Sequence, residues 1–139
     1  MTSRIVWEDR WGEVIDRPDL DLVEIRWYDT TRDLDTETFN AWLARFADTV
    51  ADTRRPRILI DSTAFHMPVE HLDGEWRDAH IIPRYNDAGV EKFAFLMPED
   101  MPAIGAPPAR EGPATFPTAY FGTRDTALAW LAEAEDASF

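Results

Sequence analysis

The chain predicts an α/β fold, a mixed sheet whose later strands run parallel and carry helices against them. Three observations point there. Val23, Ile25 and Trp27 alternate with Glu24, Arg26 and Tyr28, the pattern of a strand with one inward face. Two short, nearly continuous apolar runs, Ile58-Leu59-Ile60 and Phe93-Ala94-Phe95-Leu96-Met97, read as buried parallel strands. Segments of helical spacing lie between and after them, which is the alternation that builds a parallel sheet.

Composition bounds the rest. The 139 residues suit a single domain, 1–139, and the 45% apolar content, with six tryptophans and eight phenylalanines, is ample for a core. Cysteine is absent, which excludes disulfides, thiolate catalysis and cysteine-held metals and predicts a cytoplasmic chain. The opening residues do not read as a secretion signal, and no run approaches the roughly 20 apolar residues of a membrane span. Acidic side chains outnumber basic ones 27 to 14, a net charge of −13. A nucleic-acid partner needs a basic face to displace counterions, so none is expected; Arg54-Arg55-Pro56-Arg57 is too small a cluster to provide one.

The elements follow in order. Ile5 and Trp7 open a short strand, and Glu13 to Ile15 a second, with Trp11-Gly12 as the turn between them. Asp16 to Asp19, containing Pro18, is a turn before the alternating strand. Asp35 or Thr36 caps a helix in which Phe39, Trp42, Leu43, Phe46, Ala47 and Val50 share a face, ending near Thr53 ahead of Pro56. The run at Ile58 stops at Asp61-Ser62-Thr63, its carboxyl end. Pro68 to Tyr85 is the next helical stretch, with Leu72, Trp76, Ala79 and His80 on one face and Pro83 ending or kinking it. Gly89 supplies the helix stop. Residues 98 to 113 hold five of the ten prolines and read as an exposed excursion, either a lid or a loose loop. Thr115 to Phe121 is the last strand, placed at an edge or bulged because Pro117 lacks a ladder donor. Thr123 caps a final helix that turns Ala127, Leu128, Trp130, Leu131 and Ala134 to the sheet.

Several of these pieces resemble a known family. Ile58-Leu59-Ile60-Asp61, Trp76 in a helix, Gly89-Val90-Glu91-Lys92-Phe93-Ala94-Phe95, and Tyr120-Phe121 leading to Ala127-Leu128-Ala129-Trp130-Leu131 resemble the SpoIIAA-like, or STAS-like, small bacterial domains. The resemblance implies a four- to five-stranded mixed sheet with helices mainly on one side, and a regulatory or binding role rather than catalysis. Some relatives antagonise anti-sigma factors through a phosphorylatable serine in an Asp-Ser-Ser-Gly context. Asp61-Ser62-Thr63 occupies the comparable place here, with Ala64 where the glycine would stand, and so implies a switch at Ser62.

Three functional readings follow. The first is a pocket for a small apolar molecule. Phe65, Met67, Trp76, His80, Ile81 and Tyr85 cluster in sequence after a central strand, and Phe116 and Tyr120 with the proline-rich excursion supply an opposing wall. Open α/β sheets bind ligands at the carboxyl ends of their strands. The second is the Ser62 switch. The third is a small enzyme pairing His66 or His80 with Asp61. Trp7, Trp11 and Trp27 also crowd the amino-terminal strands, which predicts a homodimer interface there. No cofactor is expected. Spacings of five and nine along His66, His71 and His80 do not make a metal motif, and neither a Gly-x-Ser-x-Gly elbow nor a phosphate-cradling loop is present.

Overall fold

The computed structural model describes residues 3–98 and 100–133. Strands β1 (Arg4–Glu8), β2 (Gly12–Arg17) and β3 (Leu22–Trp27) form an antiparallel meander. Helix α1 (Thr36–Thr53) crosses to β4 (Arg57–Asp61), and the short helices α2 (Gly74–His80) and α3 (Ile82–Ala88) cross to β5 (Lys92–Leu96). A two-residue strand, β6 (Ala109–Arg110), precedes β7 (Pro117–Phe121) and α4 (Arg124–Ala132). The strand order is β1-β2-β3-β4-β5-β7-β6, with β3, β4, β5 and β7 parallel. The α/β class and the parallel centre are as expected. The sheet is wider than four or five strands: among the described residues it has seven, because both amino-terminal hairpin strands and β6 pair onto it.

Parallel neighbours in sequence order, joined by crossovers of one hand, place their helices on the same face. The two cores show that arrangement. Val23, Ile25, Trp27, Ile58, Ile60 and Phe93 point toward Phe46 and Val50 of α1 and Ile82 and Tyr85 of α3. Leu22, Leu59, Ala94 and Leu96 point the other way, where Ala127 and Leu131 of α4 cover them. This second cover corrects the reading of β3 as a strand with one wet face: Glu24 is fully buried.

The helix ends follow their local chemistry. Asp35 caps α1 by accepting the Thr38 N–H at 2.8 Å, and Arg54 closes it in the left-handed region at φ 53°. Asp73 caps α2 and Thr123 caps α4 in the same way. The stretch from Pro68 to Tyr85 is not one helix. A single 3₁₀ turn at Val69–His71 precedes α2, and the chain bends at Ile81 before α3. Pro83 sits in the first turn of α3, where its missing N–H costs no intrahelical bond. The break leaves Leu72, Ala79 and His80 exposed, contrary to a shared inward face.

Pro117 is the first residue of its strand and is paired by β6 on its outer side, so β7 is not the sheet's edge. Gly12 begins β2 rather than forming the turn. Ala134 lies outside the described residues.

Candidate ligand-binding site

The segment that follows β4 is tightly tied. Asp61 accepts from both the backbone and the hydroxyl of Thr63, at 3.2 and 2.7 Å, and the Phe65 N–H returns to the Ser62 carbonyl at 3.1 Å. The Ser62 N–H donates to Leu96 at 2.8 Å, fixing the turn to the next strand. Farther on, the His66 N–H donates to the Thr31 hydroxyl at 2.9 Å and the Thr36 hydroxyl to the His71 carbonyl at 2.6 Å. These bonds hold the loop against the segment between β3 and α1. Phe65 and Met67 are thereby turned inward, over the carboxyl ends of the parallel strands.

A cavity of about 450 Å³ opens beneath them. Its floor is the helix-covered face of the sheet: Ile25 and Trp27 on β3, Ile60 and Ser62 at the end of β4, Phe93 and Phe95 on β5, and Tyr120 on β7. Phe39 and Leu43 of α1 form one wall, and Arg77 of α2 with Tyr85 of α3 the other. Aromatic rings are packed around it. Trp27 lies 5.3 Å from Phe65 and 5.6 Å from Phe39, and Phe95 stacks nearly parallel on Tyr120 at 5.2 Å. A volume of this size suits a small molecule, and the lining is mostly apolar with few polar groups. Val69, Leu72 and Met101 line the same cavity yet are among the exposed large apolar side chains, so its mouth has an apolar rim.

The polar groups are few. Ser62 is buried at 7% exposure. Asp73 has one oxygen engaged in capping α2. The Tyr120 hydroxyl donates to Glu111 at 2.8 Å, and burial together with that carboxylate pushes its phenol upward. Burial also raises Tyr85, while Arg77 and Arg84 pull it the other way. Among the described residues the Tyr85 hydroxyl makes no hydrogen bond.

Of the side chains read from sequence as pocket walls, Phe65, Met67, Tyr85 and Tyr120 line the cavity. Phe116 is a core residue stacked on Phe93 at 6.0 Å, and Ile81 is likewise buried in the core outside the lining. Trp76 and His80 lie 5.3 Å apart outside the cavity, because the bend at Ile81 turns that face of α2 away. The floor residues from β3 and β5, and Phe39 and Leu43, were readable only as core positions. Nothing in their spacing separates a core face from a cavity wall.

The other readings fare differently. His66 and His80 are exposed, and Asp61 faces Thr63 and, at 3.8 Å, Arg26; neither histidine is brought onto it. Among the described residues no three histidine, aspartate or glutamate side chains converge as a metal site. Among the described residues no helix is long and apolar enough to cross a membrane. The amino-terminal tryptophans pack inward. Trp42 lies 4.3 Å from both Trp7 and Trp27, and its indole donates to Asp9 at 3.1 Å. Trp27 is only 4% exposed and is a core side chain rather than a partner surface. Trp7 is covered by Arg45 at 4.0 Å and Trp11 by Arg10 at 4.4 Å.

No family model, curated protein or solved structure matches this chain.

Proposed function

We propose that this chain is a non-enzymatic binding module with a STAS/SpoIIAA-like arrangement, and that it takes a small apolar molecule at the carboxyl ends of its parallel strands. One observation carries the reading: the 450 Å³ aromatic cavity beneath Phe65 and Met67, open to solvent through the apolar rim of Val69, Leu72 and Met101. Water in a pocket lined mainly by apolar side chains is displaced favourably by an apolar occupant. The cavity's position matches the place where open α/β sheets bind ligands. The burial of Ser62 on the cavity floor favours this reading over a phosphorylation switch, which needs that hydroxyl within a kinase's reach.

The test is titration of the purified protein with the neutral fluorophore N-phenyl-1-naphthylamine. Saturable binding of about one probe per chain, with a blue-shifted emission, is expected. Loss of that binding in Leu43→Trp, which fills the cavity from α1, assigns the site. Absence of saturable binding in the wild-type protein would end the proposal.

A further inference from the structure

Among the described residues Arg77 is the only basic one on the cavity wall. Six of the thirteen arginines, Arg4, Arg17, Arg26, Arg55, Arg84 and Arg124, reach a carboxylate among the described residues, and Arg77 is not one of them. The Arg77 side chain has no ion pair or hydrogen bond among the described residues, its backbone alone bonding to Asp73 and Ile81. Its guanidinium lies instead over the Phe93 ring at 5.6 Å, half-buried, in a cavity lining that also holds Tyr85 and Tyr120. The aromatic floor holds the cation in place without using its hydrogen-bond donors, because a ring face attracts charge but accepts no in-plane fork.

We propose that Arg77 receives the head group of the ligand, and that the ligand is an apolar monocarboxylic acid bound as its anion. This rests on the apolar-ligand reading above and specifies its chemistry. A planar guanidinium fork matches a carboxylate with two parallel N–H···O bonds. The remaining lining of tryptophan, phenylalanine and aliphatic side chains suits a hydrocarbon body. A dianionic head is disfavoured. Among the described residues one cation lines the site, while Asp73 lines it as well and Glu111 lies on Tyr120. A phosphate monoester would bring a second charge with nothing to match it.

The experiment displaces bound N-phenyl-1-naphthylamine with decanoate and with decan-1-ol, in the wild-type protein, Arg77→Gln and Arg77→Lys. Decanoate is expected to displace the probe at concentrations at least tenfold below those of decanol from the wild type. In Arg77→Gln that preference disappears, with decanoate weakened by ten- to a hundredfold and decanol weakened far less. Arg77→Lys retains part of the preference. Saturable probe binding in each variant, with an unshifted thermal midpoint, certifies that the fold and cavity survive. If decanoate and decanol compete equally in the wild type, or if Arg77→Gln leaves the preference intact, the head-group assignment fails while the apolar pocket stands. If the probe binds but neither competitor displaces it, the ligand class is wrong. If the probe does not bind at all, the underlying reading fails first.

Discussion

Arg124 grips the carboxylate of Glu24 with both terminal nitrogens, at 2.9 and 2.6 Å, across 100 positions of sequence. Arg124 is the first residue of α4 and Glu24 lies mid-strand in β3, so the pair fastens the last helix to the sheet. Arg17 reaches the same carboxylate at 2.6 Å. Removing one partner of a buried pair leaves an uncompensated charge. Arg124→Met is therefore expected to lower unfolding stability by about 3 kcal/mol, near the low end for such losses because Arg17 remains. Urea denaturation measures it; a change within about 0.5 kcal/mol, the range of ordinary surface substitutions, would show that the pair does not anchor the helix.

The same pair fixes a pH dependence. Burial alone would raise the Glu24 carboxyl, but the hydrogen bonds and charges of Arg124 and Arg17 together outweigh it and hold the group below its ordinary value. Its stabilising contribution is complete above the unfolded-state value, near pH 4.3, and is lost as pH falls through the lower folded value. The stability gap between wild type and Glu24→Gln is expected to be largest from about pH 5 upward and to narrow toward about pH 3. Urea midpoints across that range give the answer, and a gap that stays constant into acid would remove the charge from the account.

The cavity mouth offers a cleaner separation of binding from folding. Val69 is 78% exposed and packs little, so Val69→Glu is expected to change stability by no more than about 0.5 kcal/mol. It also places a carboxylate on the apolar rim. Entry of the neutral probe then crosses a charged threshold, and stopped-flow association is expected to slow several-fold. Unaltered association kinetics would mean that ligands enter elsewhere.

Gly12 tests the hairpin that carries the tryptophans. It opens β2 opposite Trp27, and a Cβ there would meet the Arg26 carbonyl oxygen at 2.7 Å. Backbone cannot yield as a flexible side chain does. Gly12→Ala is expected to cost about 1–3 kcal/mol, as overpacking a filled site does. Thermal unfolding followed by tryptophan fluorescence reads it, and an unshifted midpoint would show that the hairpin accommodates the methyl freely.

Much of the fold was legible because its signals are local. The 3.6-residue spacing of Trp42, Leu43, Phe46 and Val50, with Asp35 ahead of it, predicts α1 with its correct ends. The apolar runs give β4 and β5, and Gly89 adopts the positive φ, 86°, that its helix stop requires. What was missed depends on distant contacts. Nothing near Glu24 in sequence announces that Arg124 will cover it, so its alternation reads as a wet face. The bend at Ile81 is equally silent, and it moves Trp76 and His80 off the cavity. The two-residue β6 carries too few residues for any period. Phe65 and Met67 were found because a cluster of apolar residues after a strand's carboxyl end is unusual. Arg77 was visible as a helix cation, but its place in the cavity wall over Phe93 became apparent only with the fold.

The cavity shares its inner wall with the main core: Ile25, Trp27, Tyr85 and Phe93 belong to both. An occupant would thus complete the interior, and a molecule that binds only the native chain adds stability of RT ln(1 + [L]/Kd), about 2.7 kcal/mol at a hundredfold excess over Kd. Susceptibility to cellular proteases follows the unfolded fraction when opening is fast. Half-life would then rise and fall with the concentration of the occupant, and the abundance of the protein would record that concentration without any change in its synthesis.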